Sequence, residues 1–229
     1  MLIIFNPQPD YKRAELEAYR LLQNHQVREL PVMVKKIAQS FPNLRIKTYS
    51  WVAERHNMSL QQVCELIGSD EGCCILEKST GRYLILYNDH VTNIGRIRWT
   101  LAHELGHFIL RHNERTDKAV FARSELTDDE YEAFEKEANC FARTLLAPPK
   151  VITALGITDE QTLASICGLS LEAASNVLKF IKTGIEIGRT FSEAPYILNQ
   201  FRDFILSYKK ENPLNFQEIA TAKQTWGWL

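Results

Sequence analysis

Residues 96–112 read Arg-Ile-Arg-Trp-Thr-Leu-Ala-His-Glu-Leu-Gly-His-Phe-Ile-Leu-Arg-His, with His103-Glu104-Leu105-Gly106-His107 at the centre. Wound as an α-helix, the stretch puts His103 and His107 on one face a turn apart, so both imidazoles can reach one metal ion. Glu104 lies about 100° further round the axis, where its carboxylate can hold a water beside the metal without ligating it. This is the H-E-x-x-H arrangement of a zinc hydrolase. The flanking Ile97, Trp99, Leu101, Ala102, Leu105, Phe108, Ile109 and Leu110 are apolar almost all round the helix, which predicts a buried central element. Burying three polar side chains so close together costs on the order of several kcal/mol unless a metal or a hydrogen-bond network compensates.

Two histidines do not complete a catalytic zinc site, which takes three protein ligands and an open position. A metzincin would continue with glycine and a third histidine where Leu110 and Asn113 stand, so that subclass is excluded. His112 is one residue out of step and reads as a cation at the helix C-terminus. The next apolar stripe, Phe134, Ala138, Phe141, Ala142, Leu145 and Leu146, predicts a second helix over 131–146, ended by Pro148-Pro149. Glu135 shares its face with Ala138, Asn139 and Ala142, whose small side chains allow close approach at Gly106. Glu137 points about 160° away, towards Cys140 and Arg143, so Glu135 is the favoured third ligand and Glu137 the alternative. Asn139, one turn beyond Glu135, is placed to accept the free N–H of a ligating histidine. The chemistry these residues support is peptide hydrolysis, with Zn2+ on His103, His107 and Glu135 and with Glu104 as general base. Tyr87, His90 and His112 are unranked candidates for the oxyanion donor.

The chain has 229 residues, 45% of them hydrophobic, enough for one large domain or one domain with a helical extension. A net charge of −1 and a pI near 6.6 give no general field for nucleic acid or an anionic membrane, so partners must be recognised locally. Met1-Leu-Ile-Ile-Phe is too short and lacks a basic lead for a signal peptide, and no apolar run approaches about 18 residues, which predicts a cytoplasmic protein without a membrane segment. The five cysteines are odd in number and lack paired C-x-x-C spacing, which argues for reduced, mainly buried thiols.

Upstream, the spacing predicts an amphipathic helix over 11–27, a second helix following Pro31, a strand over 44–50, and a short helix from Leu60 to Ile67 capped by Ser59 and ended by Gly68. Apolar runs at 73–77 and 83–88 predict a β-hairpin. Tyr83 to Asn88 is the candidate edge for pairing with a substrate backbone. Residues 113–130 are polar, and their acidic end suits a helix N-terminus.

Trp99-Thr-Leu-Ala-His-Glu-Leu-Gly-His, followed by Glu135-Lys-Glu-Ala-Asn-Cys-Phe-Ala-Arg-Thr-Leu-Leu-Ala-Pro, resembles the ImmA/IrrE family of zinc metallopeptidases. The resemblance covers about residues 30–180 and matches the family's T-x-A-H-E-x-x-H and E-x-x-A-N-x-F-A-x-x-L-L-x-P patterns at nearly every defined position. It implies a cytosolic protease that cleaves a helix-turn-helix repressor and switches on the genes held down by it. The family's ligands would fall on His103, His107 and Glu135, and its general base on Glu104.

Residues 158–182 also have the apolar spacing of a helix-turn-helix, with a turn at Gly168-Leu169-Ser170. Asp159, Glu160 and Glu172 against Lys179 and Lys182 leave no basic face, so direct DNA binding is not expected and a packing or repressor-docking role is. A helix is predicted over 193–209, and the aromatic end Thr225-Trp-Gly-Trp-Leu reads as a terminal staple. The expected fold is α+β: a predominantly helical zincin-like metallopeptidase core with a small antiparallel sheet or hairpin (1–149), a helix-turn-helix-like subdomain (150–184) and a helical tail (185–229). The competing reading is a non-catalytic repressor- or DNA-binding regulator with a vestigial metal site.

Overall fold

Two helices set the architecture of this computed structural model, which describes residues 8–115, 128–186 and 196–213. Helix α5 (Ile94–Ile109) starts at Asn93, whose side chain accepts the Arg96 N–H. It ends sooner than the sequence predicts, because Arg111 turns left-handed (φ 56) and a 3-10 turn, His112–Glu114, follows. His112 is therefore no helix C-terminal cation: the turn carries it inward, where it is fully buried. Helix α6 (Asp128–Leu146) lies along α5. The contact is close because Gly106 faces Ala138 and Phe141; a Cβ on Gly106 would stand 3.0 Å from Phe141 Cδ1 and 3.4 Å from Ala138 Cα. On another face of α6 packs α1 (Tyr11–Asn24), capped by Asp10 and burying Ala14, Ala18, Tyr19 and Leu22.

A three-stranded sheet supports α5. Strands β2 (Gly72–Glu77) and β3 (Arg82–Tyr87) form the expected antiparallel hairpin, from Gly72 opposite Tyr87 to Glu77 opposite Arg82. Strand β1 (Leu44–Thr48) joins parallel to β3, with Leu44 opposite Tyr83, so the order is β1-β3-β2. β3 is thus the central strand, and Tyr83 to Asn88 is not the edge expected for a substrate; its backbone is paired on both sides. Tyr83, Ile85 and Tyr87 enter the main core, whereas Leu84 and Leu86 pack with Tyr49, Val52 and Val63 on the opposite face. Burial on both faces explains why β2 and β3 read as unbroken apolar runs.

The helices that cover this second face are α3 (Tyr49–His56) and α4 (Leu60–Ile67). The strand predicted to reach Ser50 stops at Thr48, whose side chain takes the Trp51 N–H and starts α3. α4 has the predicted limits: Ser59 and Gln62 form a capping box, and Gly68 closes it at φ 73. α2 (Val34–Gln39) begins three residues beyond Pro31, rather than with it in the first turn.

After Pro148, Pro149 opens a further helix, α7 (Pro149–Leu155), absent from the sequence reading. Helices α8 (Glu160–Cys167) and α9 (Leu171–Glu186) meet at 110° around Gly168 (φ 61). Arg98 of α5 donates to the Gly168 carbonyl and ties this turn to α5. The helix predicted over 193–209 is two helices, α10 (Tyr196–Gln200) and α11 (Arg202–Glu211), joined at the buried Phe201. Ile197, Phe201 and Ile205 belong to the same apolar cluster as α1 and α7. Residues 116–127, which include Glu125, as well as Glu193 and the aromatic end 225–229 lie outside the described residues, whereas Asp128, Asp129, Glu130 and Glu132 fall in the first turns of α6. All five cysteines are free thiols, and no single described helix is long and apolar enough to cross a membrane.

The turn between α8 and α9 presses on α5 at Gly95. A Cβ there would fall 2.4 Å from both Leu169 C and Ser170 N, which are backbone atoms and cannot yield as a side-chain end can. Alanine would gain at most about 1 kcal/mol of helix propensity against roughly 1–3 kcal/mol of overpacking. We therefore predict that Gly95→Ala lowers the urea midpoint; an unchanged or higher midpoint would contradict this packing.

Candidate metal centre

His103 and His107 project from successive turns of α5, and Glu135 projects towards them from the early part of α6. The three side chains form a cluster whose candidate ligand atoms all lie within 4.8 Å of one another. His103 Nε2 and His107 Nε2 are 3.0 Å apart; the Glu135 oxygens stand 3.3 Å from the first and 3.4 Å from the second. Tetrahedral zinc, with bonds of about 2.0–2.1 Å, separates its ligand atoms by roughly 3.3 Å. These side chains fit such an ion with little rearrangement. The other nitrogen of each ring is occupied: His103 Nδ1 is 3.1 Å from Asn139 Oδ1, and His107 Nδ1 is 2.8 Å from His112 Nδ1.

Residues 74–179, which include both helices, match the Peptidase_M78 family, described as the IrrE N-terminal-like domain. This part of the chain is similar to a Peptidase_M78 domain. The M78 family is metal-dependent, which agrees with the donor set just described. No match is found among curated proteins.

The electrostatics of the cluster follow from burial and mutual charge. Burial opposes protonation of His103, but the Glu135 and Glu104 carboxylates overcome it and raise the ring to about 9. Burial lowers His107 to about 3, helped by the neighbouring His103 and His112. Glu135 is held well below the usual carboxylate range: burial pushes it up, and the two imidazoles more than offset that. Glu104 behaves differently. Burial lifts it to about 7, with His103 pulling it down and Glu135 and Glu71 pushing it up.

Glu104 lies in the wall of a cavity of about 590 Å3, with His103, His107, Glu135, Asn139 and Trp99 beside it. Gly72 at the start of β2 lets the wall close, since a Cβ there would meet Thr100 Cγ2 at 2.7 Å and Glu104 Cγ at 3.5 Å. Glu71 accepts from Arg96 Nε at 2.8 Å and from Thr100 Oγ1 at 3.1 Å, fixing a charged pair at the rim. A second cavity of about 570 Å3 shares Glu71, Arg96, Trp99 and Asn139 and continues to Ser170, Glu172 and Asn176 near the start of α9.

The alternative ligand Glu137 is elsewhere: it is buried behind the cluster, bonded to His112 Nε2 at 3.0 Å and to Arg115 Nη1 at 3.1 Å. None of the three oxyanion candidates lines the main cavity. The Tyr87 hydroxyl accepts from Lys35, His90 bonds Ser50, and His112 sits behind His107. Tyr131 does line it, on α6 one turn before Glu135. Its spacing of four residues from Glu135 was the available signal. The Glu71–Arg96–Thr100 group had none, because it joins the start of the hairpin to α5 across the fold.

Metal ligation needs a neutral His103, and below about 9 that ring carries a proton. Binding at neutral pH must expel it, so metal affinity should rise by up to roughly tenfold per pH unit until pH approaches His103's own value, then level off. Calorimetric zinc titrations at pH 7 in buffers of different ionisation enthalpy should show about one proton released; an affinity independent of pH would refute the charge assignment.

Proposed function

We propose that this chain is a zinc-dependent, site-specific endopeptidase of the cytoplasm, and that its substrate is a helix-turn-helix transcriptional repressor whose cleavage releases the genes it controls. The observation that carries the peptidase reading is the convergence of His103, His107 and Glu135 on one point at the floor of an open cavity, with Glu104 alongside. Two imidazoles, one carboxylate and room for water make up the His2Glu donor set of catalytic zinc sites. The mixed nitrogen and oxygen donors suit zinc among the divalent ions. A cation held there supplies Lewis acidity, polarising the scissile carbonyl and making water a nucleophile near neutral pH.

The residues of the chain do the rest. His103, His107 and Glu135 hold the ion, and Asn139 accepts the His103 Nδ1 proton so that Nε2 faces inward. Glu104 takes the proton of the attacking water and passes it to the leaving amine; its high proton affinity for a carboxylate suits a group that must do both. Tyr131, on the cavity wall, is the residue we assign to the developing oxyanion. An extended substrate can pair with the Gly72–Cys73 end of β2, which borders the cavity, whereas further along the Cys74 carbonyl is taken by Asn113 Nδ2.

The repressor as substrate rests on the ImmA/IrrE resemblance, and two features agree with it. The two cavities share Glu71, Arg96, Trp99 and Asn139 in their walls, and Ser170 with Glu172 and Asn176 of α9 line the second. Asp159, Glu160 and Glu172 weigh against a DNA-binding face on this helix pair, so docking of protein is the role we assign to it.

Glu104→Gln should keep its zinc and lose turnover by about 10²–10⁴-fold, as judged by metal analysis and by incubation with a purified helix-turn-helix repressor that the wild-type protein is tested against in parallel. Wild-type protein that forms a stoichiometric complex with that repressor and leaves no cut fragment would instead support a non-catalytic regulator. Tyr131→Phe should lower kcat by about 10²-fold with little change in KM; an effect on KM alone would remove Tyr131 from the oxyanion role.

A further inference from the structure

A second row of polar groups lies behind the metal cluster, on the side away from the cavity. It runs from His107 Nδ1 to His112 Nδ1 at 2.8 Å, and from His112 Nε2 to Glu137 Oε2 at 3.0 Å. Glu137 Oε2 also accepts from Arg115 Nη1 at 3.1 Å, and its other oxygen accepts the Asp10 N–H at 2.9 Å. The side chains of His112 and Glu137 are 0% and 1% exposed, so bulk water cannot take the place of either partner. We propose that His112 and Glu137 are positioning residues that decide which nitrogen of His107 is offered to a metal. The inference rests on the reading of His107 as a ligand.

The reasoning is a count of protons. Two ring nitrogens 2.8 Å apart share one hydrogen, so one ring donates and the other accepts. If His107 donates, its neutral ring has a bare Nε2 facing Glu135 and His103, ready for a cation. His112 then accepts on Nδ1, carries its own proton on Nε2 and donates it to the Glu137 carboxylate, so every group is satisfied. The reverse assignment puts a proton on His107 Nε2, where the ion must sit. It also leaves the His112 Nε2 lone pair pressed against a buried carboxylate 3.0 Å away. An imidazolium at 112 fares no better, because it too has a proton on Nδ1. The negative Glu137, anchored by Arg115 and by the Asp10 backbone, thus selects one tautomer of His112, and His112 selects one tautomer of His107. Asn139 performs the same service for His103 with a single amide.

Zinc affinity, measured by chelator competition, and folding, measured by urea midpoint, test this on the full chain. His112→Phe keeps the ring shape without an acceptor and should weaken zinc binding by roughly 10–100-fold. His112→Asn, whose Oδ1 can replace the accepting Nδ1, should recover most of that loss, a pattern that simple packing does not produce. Nitrogen-15 NMR of the zinc-bound wild type should show His112 as the Nε2–H tautomer; this measurement stands even where the Phe variant does not fold. A folded His112→Phe protein with wild-type affinity, equal losses in the Phe and Asn variants, or an Nδ1–H tautomer at His112 would each overturn the proposal. Wild-type protein that takes up no zinc would defeat the peptidase reading itself, a separate result.

Discussion

The close approach of α5 to α6 at Gly106 is the constraint from which the rest of the site follows. Glycine at 106 against alanine at 138 removes the side-chain layer that normally separates packed helices. At that separation a glutamate on α6, with only two methylenes of reach, brings its oxygens within 3.4 Å of both imidazoles on α5. The sheet braces α5 from one side and α1 braces α6 from another, so the two helices cannot part without opening the main core. Precise placement of three polar side chains is thereby carried by elements whose own packing is apolar.

Removing these groups from water carries a penalty that the fold offsets group by group. Glu135 is matched by two imidazoles, Glu137 by His112 and Arg115, and His103 by an amide and a carboxylate. Glu104 is the exception. It is buried beside Glu135 and Glu71 with only His103 in its favour, and its proton affinity climbs to about 7 accordingly. Of the buried carboxylates just named, Glu104 is the one with the raised proton affinity, and it borders the cavity without joining the ligand cluster, a position in which a carboxyl can exchange a proton.

The rim is assembled from parts distant in sequence. Glu71 precedes β2, Arg96 and Thr100 lie on α5, Tyr131 and Asn139 on α6, and Ser170 and Asn176 at the start of α9. The α8–α9 pair is seated by Gly95 and by the bond from Arg98 to Gly168, so its orientation is tied to the same helix that bears the histidines. The second cavity and the His103–His107–Glu135 cluster consequently share one supporting helix.

Local rules were enough for much of this chain. The capping box at Ser59, the left-handed glycines at 68 and 168, the apolar stripe of α6 and the turn-apart histidines are all written in neighbouring residues, where a helix or turn places side chains without help from the remainder of the fold. Glu135 could be preferred over Glu137 for the same reason, since the two point to opposite sides of one helix. Tertiary structure decided the features that depend on which surfaces meet. Pairing with β1 made β3 central and moved the free edge to β2, because strand neighbours are chosen by the sheet as a whole. The left-handed Arg111 carried His112 from its expected place at a helix end into a buried bond with His107 and Glu137, a partnership visible only once α6 lies behind α5.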